Sequence, residues 1–289
     1  MKISFVIPAY NEEKTVGGVI EALKKSFPNS EIVAVDDGSS DSTFDKIQKA
    51  DVVVRHDKNM GIGEAISSGI KKASGDFCVI VDADGQHPLS EVKKVVNRIK
   101  PSIDAVLTQR KSLLSSGVFK AVGKFVLTLL VNFFTKQKFK DINSGLCALK
   151  RKKIIRYIQI LPSRYSFSTA TLILVNLLRF NVEYVEIEVE KRKAGKSKVR
   201  VKDFLTALFI ILSMVVIFEP LNFFIPLSLY SFYIGVLSGL FSLLVKNVQN
   251  PLGFSHFFTF SVSMFIVGLI SHQISIVIKK LFSGEKDEG

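Results

Sequence analysis

Among its 289 residues the chain has no tryptophan, two cysteines and four histidines. Cys78 lies in one apolar run and Cys147 in another, so both read as small core residues in a reducing compartment. No Cys/His spacing suits zinc, and no Ser-His-Asp pattern is present. The start, Met-Lys-Ile-Ser-Phe-Val-Ile-Pro, enters a short strand without a signal-peptide pattern of adequate length, so the N-terminal part is expected in the cytosol.

Acidic charge is also in short supply. The formal net charge is +13, yet residues 203–289 hold four lysines against five acids, so the whole surplus lies before them. Hydrophobic content is 47% and mean hydropathy +0.30, with the longest apolar stretches after residue 203. A basic soluble part joined to an apolar tail suggests anionic partners at a bilayer surface: phosphates, nucleotides or lipid headgroups. Nucleic acid would also suit the charge, but no familiar nucleic-acid motif accompanies it, and none is expected as a partner.

The first 110 residues alternate strand and helix signals. Apolar runs at 3–7, 31–35, 52–54, 77–81 and 103–107 read as strands; 13–26, 61–74 and 89–99 read as helices. Asp41 or Ser42 would cap a helix after the second strand. This alternation predicts an α/β fold, a mostly parallel sheet with helices on both faces. Ligands of such sheets bind at the carboxyl ends of the strands. Two acidic turns fall there: Asp36-Asp37-Gly38-Ser39-Ser40-Asp41-Ser42, and the exit of the fourth strand.

That exit reads Phe77-Cys-Val-Ile-Val-Asp82-Ala-Asp84-Gly-Gln86-His-Pro88. Asp82 and Asp84, two residues apart, can face one cleft and hold Mg²⁺ or Mn²⁺ through hard oxygens, with Gln86 adding a neutral one. A cation there would neutralise a nucleotide diphosphate as a leaving group. The plainer alternative is a polar turn after a strand.

Residues 118–135 are too apolar for an exposed helix, yet Lys120 and Lys124 lie one turn apart on them. They either bury against the core or lie in a membrane interface with the lysines at headgroup level; the second is the expectation. Residues 182–189 alternate as a half-exposed strand. Residues 191–202 then carry seven cations and no acid. Residues 204–218, stopping at Glu219-Pro220, are short for a span and read as an interfacial helix. Residues 225–245 and 257–278 can each cross a bilayer. Basic flanks before 203 and at Lys279-Lys280 put both termini in the cytosol and the 246–251 loop outside. His272 and Gln273, near the cytosolic end of the second span, read as helix-packing or headgroup contacts.

Together these residues resemble the family-2 glycosyltransferases of inverting GT-A (Rossmann-like) fold, in particular the dolichyl-phosphate mannose synthase and polyprenyl-phosphate glycosyltransferase branch. The motifs are Ile7-Pro8-Ala9-Tyr10-Asn11-Glu12-Glu13, Val35-Asp36-Asp37-Gly38-Ser39-Ser40-Asp41-Ser42-Thr43, Asn59-Met-Gly61, Gly75-Asp76, Asp82-Ala-Asp84-Gly-Gln86-His87-Pro88, Asp141-Ile-Asn-Ser144-Gly145 and Arg192-Lys-Ala-Gly195-Lys196-Ser197-Lys198. The resemblance implies that Pro8, Tyr10, Glu12 and Asp37 line the nucleobase and ribose pocket of a nucleotide-sugar donor. It implies a metal and diphosphate site at Asp82, Asp84 and Gln86, with Asp84 and Arg110 central to catalysis. Arg110 would reach the phosphate of a polyprenyl or dolichyl phosphate acceptor, helped by Lys120 and Lys124. Arg192 and Lys198 would close over the donor diphosphate. Where relatives often carry Glu after Phe-Ser-x-Thr this chain has Ala170, so that acid's role does not transfer. Lysines at 120 and 124 bind phosphate as point charges, unlike the forked arginines common there.

The resemblance therefore implies a cytosolic GT-A catalytic domain over 1–200, an interfacial helix over 201–220 and a two-helix hairpin over 225–281. A processive polysaccharide synthase shares the N-terminal motifs, but carries a tryptophan in its acceptor channel and more spans. A non-catalytic, membrane-tethered nucleotide-sugar binder would not need Asp82, Asp84 and Gln86. A soluble or protein acceptor would not need the two spans. The sugar stays open between mannose from a GDP donor and glucose or N-acetylglucosamine from UDP donors.

Overall fold

Six of the seven residues of Ile3–Ala9 are buried, as a strand with neighbours on both sides requires. The computed structural model describes residues 1–110, 118–135, 139, 145–163, 167–188, 201–244 and 251–283. Two units are present, Met1–Ile211 and Leu212–Gly289.

The first unit holds a seven-stranded sheet of β1 (Ile3–Ala9), β2 (Glu31–Asp36), β3 (Val52–Arg55), β4 (Phe77–Ile80), β5 (Ala105–Arg110), β6 (Cys147–Lys150) and β7 (Val182–Ile187), in the order β3-β2-β1-β4-β6-β5-β7. Every pairing is parallel except those of β6, which runs antiparallel to β4 and β5. Two antiparallel steps restore the direction, so β5 points the same way as β1, β2 and β4. The expected mostly parallel sheet is present; the reversed strand is the feature the sequence reading did not contain.

Pro8 is tolerated inside β1 because pairing with β4 ends at Val6↔Ile80, so its missing N–H leaves no broken ladder on that side. Helices α1 (Val16–Ser26), α2 (Thr43–Ile47), α3 (Ile62–Lys72) and α4 (Leu89–Val96) follow the first four strands in turn. Val16, Ile20, Val92 and Val95 share a core with Phe5, Ile7, Ile32 and Val79. The alternate residues Val6 and Val35 meet Gly69 of α3, so helices cover both faces. Buried small residues, Gly63, Ala65, Ser67 and Gly69, let α3 lie close on the sheet. Residues 13–15, expected as helix, form a turn before α1, held by Thr15 and Val16 amides donating to the Glu12 carbonyl.

Helix α5 (Val118–Thr135) buries Leu127, Val131 and Phe134 while Phe125, Val126, Leu129 and Phe133 are exposed. Asn132 pins the chain beyond it, accepting from the Phe139 amide at 2.8 Å and donating to its carbonyl at 3.3 Å. The short α6 (Arg151–Ile154) and the buried α7 (Phe167–Leu177), with Ala170 fully enclosed, lie between β6 and β7. Helix α8 (Val201–Phe218) starts three residues before its apolar run; its earlier part exposes Leu205 and Phe209.

In the second unit α9 (Leu221–Leu244) and α10 (Pro251–Ser283) pack along each other. Both are long and apolar enough to cross a membrane, and only 17% of each span window is buried, unlike a core helix. Small residues make the seam. Ser228 and Ser261 donate reciprocally to each other's carbonyls at 3.0 and 2.9 Å, and Gly235 lies against Phe257. Ser275 donates to the Phe218 carbonyl at 2.9 Å, and Lys279 pairs with Glu219 at 2.8 Å. Residue 245 and the loop to 250 lie outside the described residues.

Candidate active site

β1 and β2 end side by side at Ala9↔Asp36, and the Asp37 amide donates to the Ala9 carbonyl at 2.9 Å. β4 stops one strand away, with the Val81 amide on the Val6 carbonyl at 3.0 Å. The loops after β1, β2 and β4 therefore open on one edge of the sheet.

The first two loops are laced together. Asn11, at φ +55°, donates its amide to Ser39 Oγ at 2.9 Å and accepts from the Ser40 amide at 2.9 Å. The Glu12 amide donates to Thr43 Oγ1 at 2.8 Å, and the Glu13 carboxylate accepts from the Ser42 amide at 3.1 Å. Asp41 accepts from the Thr43 amide at 3.0 Å and from the Glu13 amide at 3.3 Å. Asp41 thus caps α2, although Ser42 holds the cap position, its side chain making no capping bond. Burial pushes the Asp41 carboxyl up, but the Thr43 and Glu13 bonds outweigh it and leave it below the usual carboxylate range. Gly38, at φ +71°, brings the loop so close to residues 58–59 that a Cβ would stand 2.5 Å from the Lys58 carbonyl carbon.

Of the residues expected at the nucleoside pocket, Pro8 is buried at the end of β1, Tyr10 is 47% exposed just beyond it, and Glu12 is half-buried. Asp37 is 2% exposed. Its Oδ1 accepts from the Met60 amide at 2.9 Å and meets His56 Nδ1 at 2.7 Å; its Oδ2 accepts from the Gly61 amide at 2.8 Å. His56 Nε2 in turn lies 3.0 Å from Ser68 Oγ on α3. The fold thus assembles an Asp-His-Ser array that the sequence reading did not find.

Asp82 and Asp84 follow β4 on the same edge. Asp82 is partly exposed, whereas Asp84 is 5% exposed and its Oδ1 accepts from the Gln86 amide at 3.0 Å, closing the turn through Gly85. Register explains the neighbour of Asp82. Ile80 pairs with Cys147 in antiparallel β6, so Gly145, two residues before Cys147, stands opposite Asp82, two after Ile80. His87, to which the sequence motifs assign no role, stands beside this carboxylate. Its buried ring places Nε2 3.4 Å from Asp82 Oδ2, and its Nδ1 has no hydrogen-bond partner among the described residues. Its proximity to two carboxylates in sequence was the only signal available.

Arg110 ends β5, which runs parallel to β4 two strands away, about 10 Å across the sheet. Its backbone therefore lies on the same edge; its side chain is not among those described. Lys120 and Lys124 lie on α5, again without described side chains. Arg192, Lys198 and the rest of the 191–202 basic segment up to Arg200, together with Asp141–Ser144, lie outside the described residues.

Residues 4–158 match the model of glycosyl transferase family 2. The chain belongs to that family. Among its relatives, the dolichol-phosphate mannosyltransferase of Pyrococcus furiosus is 31% identical over 222 residues, 70% of this chain; this chain spans 60% of that protein's length. The UDP-N-acetylglucosamine–dolichyl-phosphate N-acetylglucosaminyltransferase of Methanococcus voltae is 28% identical, covering 64% of this chain and 84% of that one. The undecaprenyl-phosphate 4-deoxy-4-formamido-L-arabinose transferase of Serratia proteamaculans is 29% identical, with coverages of 68% and 62%. The fold is also that of glucosyl-3-phosphoglycerate synthase from Mycobacterium tuberculosis, solved with Mn²⁺, UDP and glucosyl-3-phosphoglycerate, at TM-score 0.60 and 23% identity over 74% of this chain and 79% of that one. This family-2 chain therefore has the GT-A-type architecture its motifs implied.

Proposed function

We propose that the protein is a membrane-bound inverting glycosyltransferase that moves a hexose from a nucleotide sugar to a polyprenyl or dolichyl phosphate. The observation that carries this reading is the meeting, on one sheet edge, of the laced Tyr10–Asp41 loops with the Asp82-Ala-Asp84-Gly-Gln86 turn. The acceptor class is supported by three relatives named for dolichyl or undecaprenyl phosphates.

The exit of β4 fits a shared Mg²⁺ or Mn²⁺. Two carboxylates and an amide supply hard oxygens, and among the described residues no trio of His, Cys, Asp or Glu forms a closed cage. Such open sites leave positions for substrate phosphate. Asp82, Asp84 and Gln86 would hold the cation, which when bound neutralises the departing diphosphate. Tyr10 offers an exposed ring face to a nucleobase, beside Pro8, Glu12 and Asp37. A lipid phosphate is already ionised at pH 7, so its oxygen needs no strong base. What it needs is alignment against the sugar carbon, opposite the leaving group, by fixed cations. Arg110 takes that role on the shared edge, with Lys120 and Lys124 on α5 as further positive charges. Arg192 and Lys198 are assigned to the donor diphosphate.

The bilayer reading is supported by the two long, exposed apolar helices and by the stripe Phe125, Leu129, Phe133 on α5. Each such side chain moved from water into hydrocarbon gains about 1.5–3 kcal/mol. The domain plan follows: a cytosolic catalytic part over 1–200, interfacial helices at 118–135 and 201–220, and a hairpin over 225–281. Membranes containing the protein, incubated with a panel of radiolabelled UDP- and GDP-sugars and extracted for lipid, test the proposal. Label in the lipid phase from one nucleotide sugar is expected. Label confined to water-soluble product with every donor would refute the acceptor.

A further inference from the structure

The Asp37–His56–Ser68 array is unexplained by the chemistry above. Its order is that of a hydrolase triad, but its surroundings are not. Ser68 sits in the interior of α3, where neighbouring amides are engaged in the helix and cannot form an oxyanion hole. Asp37 is tied to the Met60 and Gly61 amides as well as to His56. A carboxylate only accepts, so His56 Nδ1 carries the proton toward Asp37, and Nε2 completes the ring's bonding with Ser68 Oγ.

The array joins four pieces of chain. Asp37 follows β2, His56 follows β3 with its amide on the Asp36 carbonyl at 2.9 Å, Met60-Gly61 leads into α3, and Ser68 lies within α3. Among the described residues, three of the roughly four hydrogen bonds a carboxylate can accept are occupied, two at Oδ1 and one at Oδ2.

We propose that His56 is a positioning residue of the donor pocket. It fixes the Asp37 carboxylate, and through it the Met60–Gly61 turn, in the arrangement that receives the nucleoside. The inference rests on the reading of Asp37 as a nucleoside-facing residue. A side chain held on both ring nitrogens has one orientation, and pockets keep their geometry when such supporting bonds lock the contacting group.

The test is titration of the full chain in lipid nanodiscs with UDP and with GDP, in Mn²⁺, by calorimetry. For whichever nucleotide the wild type binds, His56→Ala is expected to weaken binding at least tenfold. His56→Asn, whose side-chain N–H can stand in for Nδ1–H, is expected to recover most of the affinity, and Ser68→Ala to lose only a few-fold. In turnover the donor KM should rise while the acceptor KM stays put. Wild-type binding retained in His56→Ala would overturn this inference alone. So would an equal loss toward donor and acceptor without rescue by Asn, which marks a general folding role. A wild type that binds neither nucleotide would overturn the donor-site reading and this inference with it.

Discussion

Gly145 lies against the carboxylate of Asp82: a Cβ on it would stand 2.4 Å from Oδ2 and 3.0 Å from Cγ. The contact ties β6 to the exit of β4 and joins two motifs far apart in the sequence. The opposing atoms are the end of a side chain, so adding a methyl displaces the carboxylate at little cost to the fold. Gly145→Ala is therefore expected to lower Mn²⁺ affinity at least tenfold in the presence of a nucleoside diphosphate, read by electron paramagnetic resonance, with little change in melting temperature. Unchanged Mn²⁺ affinity would mean that Asp82 does not hold the cation.

Asp104 anchors the opposite region of the same unit. It is 6% exposed and accepts from Lys153 Nζ at 2.6 Å and the Asn181 amide at 3.1 Å, with Lys150 Nζ at 3.4 Å. Burial pushes its carboxyl up, but these bonds prevail and hold it below the ordinary value. A depressed folded-state pKa contributes stability above the unfolded value of about 3.9, lost as pH falls through the folded one. Asp104→Asn should cost roughly 1–3 kcal/mol at pH 7. Thermal melts of both proteins should converge on acidification below about pH 4; a gap that persists there would assign the loss to packing.

Arg110→Ala should raise the apparent KM for lipid phosphate about tenfold or more, since a charged phosphate contact is worth roughly 1.5–3 kcal/mol, and leave the donor KM nearly unchanged. Equal losses toward both substrates would assign Arg110 to the donor or to the fold.

For topology, Asn250→Cys should react with a membrane-impermeant thiol reagent from outside the cell, and Ser283→Cys should not. The native thiols do not interfere: burial pushes both Cys78 and Cys147 up to about 12, so neither offers a reactive thiolate. Labelling of both positions from one side would contradict the hairpin.

Much of this was legible in the sequence because the signals are local. Each early strand is an apolar run ending in a polar turn, and parallel topology puts those turns on one edge. β6 escaped because Cys147-Ala-Leu-Lys150, no shorter than β3 or β4, falls outside the regular strand–helix alternation of the first 110 residues and owes its identity to antiparallel pairing with β4 and β5 from elsewhere in the chain. His56 escaped for a related reason. It stands 19 residues after Asp37 and 12 before Ser68, and only the β2–β3 pairing and the α3 packing bring the three together. The alternation over 182–189 read as a half-exposed strand, and β7 bears this out from Tyr184 onward, where Tyr184 and Glu186 are exposed and Val185 and Ile187 buried.

Cation-assisted transfer to a lipid phosphate is the step on which the other assigned roles depend. The full chain in vesicles containing polyprenyl phosphate, supplied with a radiolabelled nucleotide hexose and Mn²⁺ or Mg²⁺, gives the decisive reading as label in extracted lipid. The label is expected to vanish in excess chelator and to fall at least a hundredfold in Asp82→Ala and Asp84→Ala, both of which still insert and fold. Full labelling in excess chelator, or undiminished labelling by either variant, would contradict that step.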